Sequence, residues 1–309
     1  MLRNVLRRLW GESPERAPVG EAGDAGAESG WRVPVLCYHS WTMSTSTYEG
    51  NDHVALEADL ACLARRGYAV LPLPTLVAVL RGERPARQLA GRKLVGLSFD
   101  DGRDHDYRDL PGADGALVPS MHTVLARAEI EVVGEGPMAV SFVLASAEAR
   151  RVLDVSCGAG RREWEDDWWA PAAAGRVLGI GNHGWDHVHD TLERVRQRDN
   201  LKGSFLHVDT FEDAEAQIAE AQVEIDRLCA GRALPLFAYP YGHVPPYVRD
   251  VYFPQHAARI GVRAAFGTGG SAASSAAPVW DIPRFVCGWH WRTPDEFAAL
   301  LDAVERGER

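Results

Sequence analysis

Cysteine is scarce in this chain, with five in 309 residues, and no two of them form a C-x-x-C pair. Cys37, Cys62, Cys157, Cys229 and Cys287 stand singly in or near apolar stretches. That scatter excludes a disulfide framework or a zinc knuckle as the basis of the fold and fits a reducing compartment. Long apolar runs are missing as well. No stretch approaches the ~20 residues that cross a bilayer, so no membrane span is expected. Residues 1–10 carry Arg3, Arg7 and Arg8 without the apolar core of a secretory leader, which makes cytoplasmic the expected location. Positive charge is in deficit, 33 Lys and Arg against 43 Asp and Glu for a formal charge of −10. This argues against nucleic acid and anionic lipid as partners and points to a neutral or cationic substrate. There is no internal repeat. The one low-complexity stretch, Gly267 to Pro278, is rich in Gly, Ala and Ser and reads as a loop.

What is present is a chain able to build a large core. Gly11 to Gly30 holds almost no large apolar side chains, so residues 1–30 are expected to be a disordered lead-in and 31–309 one folded domain. From Val33 onward, short apolar runs alternate with helical patterns. Val33–Tyr38, Ala69–Leu71, Lys93–Phe99, Ala139–Leu144, Val177–Ile180, Leu236–Ala238, Arg263–Phe266 and Ile282–Val286 read as strands. Leu56, Leu60, Leu63 and Ala64 recur at helical spacing before Gly67, and Ile218, Ala221, Val223, Ile225 and Leu228 do so before Gly231. A Thr-Pro-Asp-Glu start at Thr293 opens a closing helix with Phe297, Leu300 and Leu301 inward. The alternation predicts an α/β fold, a single distorted (β/α) barrel of about seven or eight strands.

The chemistry gathers just past predicted strand ends, which in such a barrel share one rim. Phe99-Asp100-Asp101-Gly102 supplies two neighbouring carboxylates that point in different directions. One can bind a metal while the other stays free to accept a proton, so Asp101 is assigned to the metal and Asp100 to the base. His183 and His187 are four apart, which puts both imidazoles on one face if the chain turns helical after Gly184. An Asp and two His leave coordination positions open, as a hydrolytic metal requires. Zinc is the first expectation, and Co, Ni, Mn and Fe accept the same donors. Tyr239-Pro240-Tyr241-Gly242 is a Gly-ended turn whose backbone N–H groups could serve a developing oxyanion.

Taken in order, Leu97-Ser98-Phe99-Asp100-Asp101-Gly102, His183-Gly184-Trp185-Asp186-His187 and Tyr239-Pro240-Tyr241-Gly242 resemble the motifs of the polysaccharide deacetylases, the NodB-homology group or carbohydrate esterase family 4. The resemblance runs from about Val33 to Leu301. It implies a distorted barrel that removes acetyl groups from N-acetylated sugars, with Asp100 as base, Asp101, His183 and His187 as metal ligands, and the Tyr241 backbone N–H at the oxyanion. The chain departs from the family pattern in having Ala238 where an arginine usually opens the third motif, and in lacking the later Asp-x-x-Asp-Trp and Leu-x-His motifs. Val33–Ser40, with Tyr38-His39, is similar to the opening strand of a permuted poly-N-acetylglucosamine deacetylase-like branch. That likeness assigns the general acid to His39, with His290 in reserve, and makes Arg284 the replacement for the missing arginine.

Ten tryptophans invite sugar stacking. Trp164, Trp168 and Trp169 are expected on a helix before Gly175, and Trp185 beside the metal histidines. Trp41, Trp289 and Trp291 are expected to line a groove, Trp289 as a substrate contact. The stretch from Arg103 to Val133 is expected to cap it. The implied partner is an N-acetylated carbohydrate. A metal-dependent amidohydrolase on small cyclic or linear amides, and a non-catalytic sugar-binding protein, are the alternatives. The sequence carries no mark of oligomeric state.

Overall fold

The computed structural model describes residues 30–40, 45–111, 115–158, 160–196 and 201–309. Trp41 and the expected lead-in, apart from Gly30, lie outside them. Among the described residues there are ten strands: β1 (Val35–His39), β2 (Ala69–Val70), β3 (Leu94–Asp100), β4 (Leu110–Pro111), β5 (Leu117–Val118), β6 (Ala139–Val143), β7 (Leu178–Asn182), β8 (Leu236–Ala238), β9 (Ala264–Phe266) and β10 (Phe285–Val286). Eight form one parallel sheet in the order β10-β1-β3-β6-β7-β8-β9, with β2 beside β3, while β4 and β5 make a separate antiparallel hairpin.

All eight predicted strands are found, to within a few residues at their ends. They are legible because a parallel strand covered on both faces is a nearly unbroken apolar run. Every residue of β1, β3, β6 and β7 is buried. Alternation sorts the side chains. Val140, Phe142, Leu236, Ala238, Ala264 and Phe266 pack together on one face, while Phe237 and Ala265 pack with Phe253, Ala257 and Ile260 on the other. The sheet curls until its edges meet through a single segment. Ile282 bridges Phe266 of β9, and the chain then continues into β10 beside β1.

Helices fill the crossovers: α1 (Asp52–Arg65), α2 (Leu73–Leu80), α3 (Met121–Arg127), α4 (Ala147–Cys157), α5 (Trp169–Ala174), α6 (residues 211–228, π-wound over Glu215–Ala219), α7 (Phe253–Ile260) and α8 (Pro294–Glu305). Local chemistry sets their ends. The Asn51 side chain accepts the His53 and Val54 N–H groups to start α1, and Thr293 accepts from Glu296 to start α8. Leu56, Leu60 and Leu63 of α1 then bury against Phe297, Leu300 and Leu301 of α8 and the outer face of β1 and β3. No helix among the described residues is long and apolar enough to cross a membrane.

Candidate active site

β1 and β3 run in parallel register with His39 opposite Asp100, so the strand ends deliver an imidazole and a carboxylate side by side. The chain then turns sharply. Asp101 has φ 79° and Gly102 φ 70°, and a Cβ at Gly102 would lie 2.5 Å from Val143 Cγ1. Only glycine fits there without displacing β6. The turn sends the Asp101 carboxylate one way while Asp100 stays on the strand.

His183 follows β7, and its Nδ1 donates to the Ala238 carbonyl at 2.9 Å. A carbonyl only accepts, so the proton sits on Nδ1 and the Nε2 lone pair is left for a ligand. His187 arrives by a different route from the helix expected after Gly184. Residues 184–190 form tight turns, with φ 90° at Gly184, 63° at His187 and 51° at Val188. Positive φ at a β-branched residue is costly and persists only where surroundings enforce it. Asp186 supplies that enforcement. Its carboxylate accepts from Val188 N–H (2.9 Å), Arg196 N–H (2.6 Å) and Gln217 Nε2 (2.9 Å).

The result brings the predicted donor set together. Asp101 Oδ1 lies 3.6 Å from both His183 Nε2 and His187 Nε2. Asp101, His183 and His187 each offer a ligand atom within 4.8 Å of the others. One carboxylate and two imidazoles, one of them held in the metal-ready tautomer, fit a divalent cation. Cys37, His39 and Asp100 meet the same distance test, but two facts make them a poor cation site. Burial pushes the Cys37 thiol well above its ordinary value, which keeps it protonated. The Arg284 guanidinium also already occupies both Asp100 oxygens, at 2.7 and 2.8 Å.

Arg284 is fully buried on the approach to β10 and also donates to Ser98 Oγ (3.1 Å) and the Gly267 carbonyl (3.1 Å). The residue proposed to replace the missing arginine thus reaches Asp100 across 184 positions of sequence. Burial pushes the Asp100 carboxyl up, but the Arg284 charge and the guanidinium hydrogen bonds outweigh it, and the net shift is well downward. His39 moves the other way from a useful acid. Burial lowers it to about 4 against the opposing pull of Asp100, so its resting form is neutral.

A cleft opens over these groups, lined by His39, Asp100, Asp101, His183, His187 and Tyr241 together with Arg103, Leu144, Leu153, Cys157, Gly158, Trp164 and His189. Apart from Arg103, the second group was not foreseen. Trp164 is not on a helix, since α5 starts at Trp169, and its Nε1 instead donates to the Asp101 carbonyl at 2.8 Å. Its ring packs with Leu144 and Leu153 as an apolar wall. Tyr241 has φ 60° and ψ 3° and sits edge-on to His187, ring centroids 4.2 Å apart.

Several expectations do not hold. His290 is absent from the lining and accepts the Val286 N–H through Nδ1 at 2.8 Å. Trp289 lies outside the lining and is 44 % exposed. Trp291 is buried in the core, its Nε1 donating to Asp59 at 3.1 Å. Trp185 stacks under Arg196, 5.0 Å away, outside the cleft lining. Among the described residues of the stretch from 103 to 133, only Arg103 lines the cleft; Asp104, His105 and Asp106 turn into the interior. Spacing cannot reveal such inward turns, because polar residues after a strand read as loop.

No family model matches the sequence, and no curated protein matches it. Solved structures do match in fold. A polysaccharide deacetylase from Bacillus cereus superposes with a TM-score of 0.56 at 14% identity, covering 88% of this chain and 69% of its own. The Streptococcus pyogenes deacetylase PplD, solved in complex with acetate, gives 0.55 at 16% identity over 88% of this chain and 99% of its own. The deacetylase domain of BpsB from Bordetella bronchiseptica gives 0.52 at 14% identity over 85% and 98%. The chain is an α/β protein that shares the fold of solved deacetylases.

Proposed function

We propose that this cleft is the active site of a divalent-cation-dependent hydrolase that removes N-acetyl groups from an amino-sugar polymer or glycoconjugate. One observation carries the reading: Asp101 converges with His183 and His187 while its neighbour Asp100 is held apart by Arg284. A binding module has no use for a cation-ready triad with an ionised carboxylate beside it. The fold shared with solved deacetylases supports the same reading.

Asp101, His183 and His187 would hold the cation, with zinc the first expectation. When bound, it supplies Lewis acidity toward water and toward an amide carbonyl. Asp100 is ionised at neutral pH and takes the proton of the attacking water. Arg284 keeps its carboxylate oriented through two parallel hydrogen bonds. The Tyr241 backbone N–H holds the developing oxyanion. Leu144, Leu153 and Trp164 offer an apolar wall for the acetyl methyl. A ring nitrogen of His39 lies within 4.8 Å of an Asp100 oxygen, and His39 passes the captured proton to the departing amine.

Acetate release from N-acetylglucosamine oligomers, measured before and after chelation and after readdition of metal, tests the reading. The expected result is release that chelation abolishes and metal restores. His39→Ala should lower turnover by roughly 10²–10⁴-fold with the metal still bound. Hydrolysis of small cyclic imides without acetate release would overturn the proposal.

A further inference from the structure

One wall of the cleft carries two polar atoms that the reaction above does not use. His189 and Tyr241 both line the cleft and are 4 % and 6 % exposed. His189 Nε2 and Tyr241 Oη are buried, and neither has a hydrogen-bond partner among the described residues. An unpaired buried polar group costs about 1–3 kcal/mol, so two of them on neighbouring rings call for an occupant. The rings lie nearly parallel, 23° apart with centroids at 6.4 Å, and Tyr241 packs against the proposed cation ligand His187. The pair therefore adjoins the reacting centre.

The chemistry of the occupant follows from its surroundings. His189 Nδ1 is already engaged by Thr191, through Oγ1 at 2.8 Å and the backbone N–H at 3.3 Å, which leaves Nε2 as the ring atom open to a ligand. A phenol both donates and accepts, and so does a hydroxyl, which can satisfy Nε2 and Oη together. Asp190 Oδ1 stands 3.3 Å from the same imidazole, so a neutral hydroxyl suits this position better than an anion. The geometry points to a hydroxyl-binding subsite in which His189 Nε2 and Tyr241 Oη hold a ring hydroxyl of the amino sugar. This rests on the N-deacetylase reading and makes His189 a specificity-determining residue of that site.

The test is calorimetric titration with a glucosamine trimer, the product-like ligand, and with monodeoxy analogues that each lack one ring hydroxyl. Wild type should bind one deoxy analogue about tenfold more weakly than the parent, the worth of one hydrogen bond. Tyr241→Phe, which keeps the ring packing and the backbone N–H, should bind parent and that analogue alike. His189→Leu should behave the same way, and His189→Gln should recover part of the discrimination. Undiminished discrimination in the variants overturns the subsite. So does an equal loss on every ligand, the signature of a structural role. Failure of the deacetylase reading shows separately, as wild type that releases no acetate.

Discussion

Two buried carboxylates on neighbouring elements meet opposite fates. Asp100, at the end of β3, faces a guanidinium and is held ionised far below the usual carboxylate range. Asp59, on α1, is as deeply enclosed but faces only neutral donors: the hydroxyls of Tyr38 (2.9 Å) and Tyr48 (2.5 Å) and the Trp291 indole. Burial raises it to about 7, and the three hydrogen bonds offset only part of that rise. Burial alone therefore does not distinguish a base from a brace. The charge of the partner does. Asp59 ties α1, β1 and the Trp291 loop together, while Asp100 is held as a carboxylate by Arg284 in the wall of the cleft.

The sharpest break of this contrast is Asp100→Asn, expected to reduce acetate release by roughly 10²–10⁴-fold, while Asp59→Asn leaves turnover intact. Steady-state kinetics on the two variants measures it. Arg284→Met should come next. It strands an uncompensated buried carboxylate and should destabilise the fold by about 3–5 kcal/mol in denaturant unfolding. It also removes the charge that lowers Asp100, so the acid limb of the pH–rate profile should move to higher pH. The double variant with Asp100→Asn should regain part of the stability, and no recovery would show that Arg284 acts through other contacts.

The smallest effect lies in the pH dependence of stability. The folded pKa of Asp59, about 7, lies above its ordinary value of 3.8. Between those values the folded state binds the extra proton, so this contribution is fully present below pH 3.8 and is lost as pH rises through 7. The stability of wild type relative to Asp59→Asn should therefore decline from pH 4.5 to 7.5. Asp100 has the opposite sign. Its contribution is present above pH 3.8 and is lost only as pH falls through its depressed folded pKa, so wild type relative to Asp100→Asn should stay level over the same window. Thermal melts across that range test both.

The triad and its neighbour Asp100 were readable as a cluster because they follow the ends of apolar runs, and strand ends in a parallel barrel share a rim. Arg284 was reached only through resemblance to a permuted branch. Nothing local marks it, since its partner lies on β3, far off in sequence. The Trp164 wall, the Cys37 neighbourhood, the Asp186 brace and the His189–Tyr241 pair were missed for one reason. Each is defined by what it touches in space, and no spacing rule encodes that. The turn at His187 was misread because a four-residue interval fits a helix as well as a tight turn, and only the contacts of Asp186 choose between them.

By itself the sequence determined the parallel strands, their helical crossovers and the placement of Asp100, Asp101 and His183 at strand ends, because apolar periodicity and strand-end placement are local properties. Tertiary structure alone decided which of two candidate triads can accept a cation, which buried carboxylate is charged, and which aromatics face the cleft. Those outcomes depend on partners far off in the chain, such as Arg284, 184 positions from Asp100. Electrostatic and packing energies follow distance in space, which chain order does not report.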